Sequence, residues 1–155
     1  MKSAILKKEL IPVVFDTNIW ISGLLWRNLA WKLLRLAEQG QIQVCMAPTM
    51  LEELEQVLTY DKLQSRLNQL RLTSIDLITY VIDLVSMFEV ILPPNGNPIV
   101  IADPDDDIFL HCAITAQVAY IISGDRHLLE LEQYHNIPIV TIRHFLESEF
   151  PHLIS

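Results

Sequence analysis

Ile11-Pro12-Val13-Val14-Phe15-Asp16-Thr17-Asn18 opens with an unbroken apolar, largely β-branched run and stops abruptly at an acid. A strand with one wet face alternates apolar and polar residues, whereas a continuous run suits a strand covered on both faces. Working outward, short runs of this kind alternate with longer stretches of helical spacing, the pattern of β-α units around a parallel sheet. Leu29 to Gln39 has apolar residues at helical spacing and ends at Gly40. Gln41 to Met46, Phe88 to Leu92, Tyr120 to Ser123 and Pro138 to Thr141 are the further strand candidates. Asp61 to Leu72, Ile75 to Met87, Ile108 to Val118, Arg126 to Leu131 and Ile142 to Glu149 read as helices, with Thr73 or Ser74 capping the second. After Pro48, Thr49-Met50-Leu51-Glu52 fits a capping box, which gives Glu52 a structural task. Pro93 to Pro98 is a loop too short to link domains.

At 155 residues the chain has the length of one domain, expected to span 1–155, and can bury a core without disulfides or a structural metal. With 51% hydrophobic and 19% charged residues, and a mean hydropathy of +0.31, disorder is excluded. The formal net charge of −8 argues against gripping nucleic acid by broad neutralisation of its backbone, so an anionic substrate needs a local cation. Cys45 and Cys112 lack metal-binding spacing and are too few for a stapled secreted scaffold, which points to a reducing cytoplasm. No signal-peptide core follows Lys2, Lys7 and Lys8. Ile108 to Gly124 is free of formal charge and approaches the length of a membrane span. It contains His111, Thr115, Gln117 and Ser123 and follows three aspartates, so a buried helix and strand fit it better than a span.

The acids fall in a pattern. Asp16 follows the first strand, Glu53 lies in the first turns after the second, Asp103 to Asp107 open the helix at 108, and Asp125 ends the strand at 120. In an open parallel sheet, strand ends and the following helix starts converge on one edge, where ligands bind. Two like charges about 5 Å apart repel by roughly 3 kcal/mol at an effective dielectric of about 20. A cluster of four therefore needs protonation or divalent cations among it. Hard Mg²⁺ or Mn²⁺ suits carboxylate and water ligands, and nothing in the His or Cys spacing suggests zinc. Taken singly, Asp16 reads as an Asx-turn, Asp125 as a helix cap, and Asp103-Pro104 as a cap with a first-turn proline. Helix-dipole stabilisation of about 0.3–1 kcal/mol accounts for one or two acids in Asp-Pro-Asp-Asp-Asp and leaves the others as a liability. Asp106 shares a face with Phe109, Leu110 and Ala113 and is the first choice as ligand, with Asp107 the fallback. Glu53, four residues before Val57, is preferred to Glu52.

Four phrases, in order and spacing, resemble the PIN-domain nuclease family: Val14-Phe15-Asp16-Thr17-Asn18, Glu52-Glu53-Leu54-Glu55-Gln56-Val57-Leu58, Asp103-Pro104-Asp105-Asp106-Asp107-Ile108-Phe109-Leu110, and Ser123-Gly124-Asp125-Arg126-His127-Leu128-Leu129. The similarity runs from about Ile11 to Leu146 and is greatest to the subgroup of toxins from toxin–antitoxin pairs. It implies a Rossmann-like three-layer α/β sandwich with a central parallel sheet of four to five strands. It also implies metal-dependent cleavage of single-stranded RNA, with Asp16, Glu53, Asp106 and Asp125 on the acidic positions and Thr17, Asn18 and Ser123 on supporting polar ones. The expected chemistry is hydrolysis by a metal-activated water, leaving 5′-phosphate and 3′-hydroxyl ends. Gln117 stands where the family commonly has glycine, and the choice among Asp105, Asp106 and Asp107 stays open.

Lys32, Arg35, Arg126 and Arg143 are candidates for guiding the strand at the rim, against an ordinary solvated helix face for the first two. Trp20, Trp26 and Trp31 suit base stacking, core packing or a subunit interface. The apolar content favours a homo-oligomer or a protein antitoxin as partner. Two other readings stand beside the nuclease. One is a receiver-like, metal-binding signalling domain, which needs a lysine after its last strand where this chain has Thr141-Ile142-Arg143. The other is a PIN-like domain that binds without cutting.

Overall fold

The computed structural model describes residues 10–90 and 106–154, with the side chains of Asp106 and Asp107 outside that description. Strand β1 (Ile11–Phe15) lies at the centre of the sheet and pairs in parallel with β2 (Ile42–Met46) on one side and β4 (Tyr120–Ile122) on the other. Val13, Val14 and Phe15 are fully buried, as an uninterrupted apolar run requires. Beyond β2 lies the two-residue β3 (Ser86–Met87), and beyond β4 lie β6 (Ile137–Val140) and the antiparallel β5 (Gln133–Tyr134). The strand order is β3-β2-β1-β4-β6-β5.

Six strands replace the four to five expected, and the additional one is β5. It forms a hairpin with β6 through His135 and Asn136, both at positive φ (48° and 66°), the conformation of a two-residue turn of the primed kind. Two residues of strand, without the Asn-Gly or Asp-Gly signal, are too short to show a period.

Helices α1 (Thr17–Leu25) and α2 (Leu29–Glu38) connect β1 to β2, and α3 (Pro48–Leu58), α4 (Asp61–Leu70) and α5 (Ser74–Leu84) connect β2 to β3. Helix α6 (Asp106–Ala116) leads into β4, α7 (Arg126–Leu129) follows it, and α8 (Ile142–Glu149) follows β6. Passage from β1 to β2 and passage into β4 run in opposite directions across the sheet. Right-handed crossovers therefore place α2 and α6 on opposite faces. Accordingly α6 lies against β1, β2 and β4, while α2 and α8 touch each other over β2 and β4.

Helix α1 is not announced by periodicity because it is nearly apolar all round, with Ile19, Trp20, Ile21, Gly23 and Leu25 buried. Gly23 permits its close approach to α2: a Cβ there would stand 2.9 Å from the Ala30 carbonyl oxygen. The Thr49–Glu52 capping box is not formed. Helix α3 starts at Pro48, a favoured first helical residue, so the cap position falls on Ala47 and Glu52 is left exposed. Thr73 does cap α5, in a reciprocal box with Asp76. The helix expected over 75–87 ends at Leu84, and pairing with Cys45 and Met46 makes Ser86–Met87 the strand. Phe88 continues it by donating its amide to Met46 O at 2.9 Å. Register with β2 decides here, not the apolar run at 88–92, whose last two residues lie outside the described ones. The loop expected over 93–98 and the capping roles of Asp103 and Asp105 also lie outside them.

Candidate active site

The sheet brings Asp16 and Ser123 level with each other. Val13, Val14 and Phe15 pair with Tyr120, Ile121 and Ile122, and Asp16 extends the ladder by donating its amide to Ile122 O at 3.2 Å. Asp16 also caps α1, its Oδ1 accepting from the Ile19 amide at 3.0 Å. Its Oδ2 accepts from the Ser123 hydroxyl. That same hydroxyl accepts from the Asp125 amide at 2.9 Å, and Asp125 Oδ1 accepts from the His127 amide at 2.7 Å to cap α7. The capping role read for Asp125 therefore holds, whereas Asp16 is the N-cap of α1 and not an Asx-turn, and the two acids still come together through one serine.

Asp16 is only 4% exposed, and Ser123 is fully buried. Burial raises the Asp16 pKa above the ordinary carboxylate value, opposed by the Ser123 hydroxyl and the Ile19 and Gly124 amides, while the charge of Asp125 adds to the rise. Among the described residues no Lys or Arg lies within ion-pair distance of either acid. The result is a rigidly held, desolvated carboxylate lacking the counter-charge that would make ionisation easy.

Glu53 is half-buried in α3, which starts at the same edge because β2 ends there. With Thr49, Glu52, Gln56 and Ile108 it lines a cavity of about 180 Å³. Ile108 belongs to the first turn of α6, so Glu53 faces the segment where Asp106 and Asp107 begin that helix. Sequence reasoning missed Glu52 as a lining residue, because the spurious capping box had already employed it; Pro48 at the helix start was the available signal. Among the described residues no three His, Cys, Asp or Glu side chains gather closely enough to hold a metal ion. The acids brought together are Asp16 and Asp125, and the side chains of Asp106 and Asp107 lie outside the description.

The other candidates separate. Thr17 is half-buried and Asn18 exposed at the start of α1, and among the described residues neither side chain hydrogen-bonds. Lys32 donates to Leu153 O at 2.7 Å, and Arg35 pairs with Glu38 at 3.1 Å and donates to the Tyr80 hydroxyl. Both are packing residues here, on a helix that ends at the opposite edge of the sheet, where β2 begins. Arg126 stays beside Asp125, exposed and paired with Glu130 at 3.3 Å. Arg143 is exposed on α8.

A sequence profile described as the PIN domain matches residues 12–127. The chain belongs to the PIN-domain family. PIN domains are generally metal-dependent nucleases that act on nucleic acid and typically use Mg²⁺. This PIN domain is also similar in fold to the crystal structure of PAE2754 from Pyrobaculum aerophilum, with a TM-score of 0.59 over 89% of this chain and 88% of that one, at 13% identity. No curated protein matches the chain. Among the described residues no helix is long and apolar enough to cross a membrane.

Proposed function

We propose that this PIN domain is a ribonuclease that cleaves single-stranded RNA with Mg²⁺ or Mn²⁺, forming one unit with its core from about Ile11 to Leu146. Asp16, Glu53, Asp106 and Asp125 are the proposed ligands, with Asp107 in reserve for Asp106. The observation carrying this reading is the Asp16–Ser123–Asp125 arrangement: two carboxylates held at the sheet edge, one of them buried, and, among the described residues, neither ion-paired to a Lys or Arg. An all-oxygen donor set suits a hard divalent ion, and the raised pKa of Asp16 is the unfavourable charge such an ion relieves. Bound there, the ion supplies Lewis acidity and charge neutralisation to the phosphodiester.

The chain's own residues supply position. Asp16 is fixed through both oxygens, so its direction does not depend on the substrate. Ser123 sets the spacing between Asp16 and the Asp125 backbone. Arg126, beside Asp125 and exposed, is the rim cation available to a phosphate. Thr17 and Asn18 occupy the first turn of α1, next to Asp16, as supporting polar groups.

The decisive experiment incubates purified protein with single-stranded RNA under Mg²⁺, Mn²⁺ or EDTA, beside Asp16→Asn. Cleavage that needs the ion and Asp16, with 5′-phosphate and 3′-hydroxyl ends, is expected; 2′,3′-cyclic phosphate ends would defeat the mechanism. A toxin role, with a protein antitoxin as partner, belongs to the same proposal and predicts growth arrest on expression, relieved by an adjacent gene's product. Self-association is proposed alongside it, checked by light scattering. The alternative is a PIN domain that binds RNA without cutting it. RNA binding with no cleavage under any ion would select it.

A further inference from the structure

Asp16 caps the start of α1 and Trp26 ends it. At 1.5 Å per residue the two stand about 15 Å apart along one rigid helix. At the far end Trp26 is 42% exposed, the kind of large flat apolar surface that folding normally covers. The Arg66 guanidinium lies 5.6 Å from its ring centroid and Arg27 lies 5.3 Å from that of Trp31. Between them runs a groove of about 410 Å³, floored by Leu24, Leu70 and Leu72.

Charge singles this groove out. In a chain of net charge −8, Arg27 on the α1–α2 turn and Arg66 on α4 line the groove, Lys62 shares the Arg66 face of α4 at i,i+4, and Arg71 caps the end of that helix. Among the described residues none of the four has a carboxylate within 4 Å, whereas Arg35 and Arg126 both do. Arg66 is further fixed by donating from Nε to Leu25 O at 2.7 Å, which locks α4 to the end of α1. Exposed indole, unneutralised guanidinium and a shallow apolar floor are the components that hold an unpaired base by its face and the neighbouring phosphate by charge.

We propose that the Trp26–Arg27–Arg66 groove is a strand-holding subsite that stacks one base of a single-stranded nucleic acid whose scissile phosphate lies at Asp16. The proposal rests on the nuclease reading. At a stacked spacing of about 3.4 Å per nucleotide, the groove lies roughly four nucleotides from the carboxylates, and fewer along an extended strand. Cleavage should then favour substrates long enough to reach both places. The exposed indole beside an unneutralised guanidinium favours stacked bases and phosphates over an acidic protein segment, which would use the charge but not the flat ring.

The test measures binding of a fluorescein-labelled oligouridylate of about a dozen nucleotides, with EDTA present so that nothing is cut. Trp26→Ala is expected to weaken binding about tenfold or more, Arg27→Gln severalfold with a shallower salt dependence, and Trp26→Phe to keep most of the affinity. Asp16→Asn is expected to bind no more weakly than the unaltered protein while failing to cut when Mg²⁺ or Mn²⁺ is restored. Unchanged affinity in Trp26→Ala and Arg27→Gln would overturn the proposal. So would no binding by the unaltered protein, or polyglutamate binding as tightly with the same Trp26 dependence, which would mark the groove as a site for acidic protein. If Trp26→Ala fails to fold, Arg27→Gln and Trp26→Phe decide alone. Ion- and Asp16-dependent cutting with no effect of the groove variants removes this proposal only. Trp26-dependent binding with no cutting under any ion removes the nuclease reading, and with it the scissile phosphate at Asp16, and leaves the groove as a nucleic-acid-binding site.

Discussion

The Ser123 hydroxyl donates to Asp16 Oδ2, tying the strand end that carries one acid to the loop that carries the next, Asp125. Residues 107 positions apart in the chain thus share one buried hydrogen bond. Ser123→Ala removes the donor and leaves a buried carboxylate oxygen unsatisfied, a loss of about 1–3 kcal/mol. Urea titration should show the lower midpoint, and the proposed RNA cleavage should fall with it because Asp16 loses its fixed direction.

Asp16 holds its proton more tightly folded than unfolded, because burial raises its pKa. Its contribution to stability in ion-free buffer is therefore largest below about pH 4, the ordinary carboxylate range, and declines as pH rises through the raised native value. Asp16→Asn should abolish that decline and be at least as stable as the unaltered protein at neutral pH in EDTA. Added Mg²⁺ or Mn²⁺ should raise the melting temperature of the unaltered protein and not that of the variant. A variant less stable than its parent in EDTA at neutral pH would contradict this account.

Gln117 adopts φ 54° where α6 ends, with the Val118 amide bonded to Ala113 O and the Gln117 amide to Ile114 O, each at 3.1 Å. This is a left-handed C-terminal cap, favourable for glycine and strained for glutamine. Gln117→Gly should stabilise by roughly 0.5–1 kcal/mol, read by chemical denaturation.

Gly23→Ala should act in the opposite sense. Its methyl would press on the Ala30 carbonyl and lie 3.1 Å from Leu34 Cδ1, forcing α1 and α2 apart at a loss of about 1–3 kcal/mol. A melting temperature equal to that of the parent would show that the helices separate freely.

Cys45 and Cys112 are buried, and burial pushes their thiols up to about 11 and about 12. Thiolate is scarce at neutral pH in both, so the native protein should not react with a disulfide reagent on the timescale that modifies an exposed cysteine. Both should react once urea unfolds the chain.

The parallel sheet was legible because Ile11 to Phe15 must be covered on both faces, and Asp16 and Asp125 at its edge were legible because each follows a strand. The start of α3 was misread, since Thr49 to Glu52 matches a local pattern that Pro48 pre-empts. Helix α1 gave no period because it is wrapped in neighbours, and β5 is two residues closed by a turn lacking the usual signal. Ser123 could be named from its motif; that it joins Asp16 to Asp125 depends on register between β1 and β4, which no local pattern carries. The groove at Trp26 was the least legible feature, because three tryptophans in sequence look equivalent until folding buries Trp20 at 1% exposure and leaves Trp26 outside.

Capping gives position 16 two employers, the fold and the proposed reaction. A descendant that abandons cutting and drifts to alanine there would also loosen the opening turn of its first helix. Retired lineages should consequently retain asparagine, serine or threonine at this position, inactive replacements that still accept the Ile19 amide. Hydrogen-bonding capacity without negative charge at residue 16 is thus the footprint by which a silenced relative can be told from a working one.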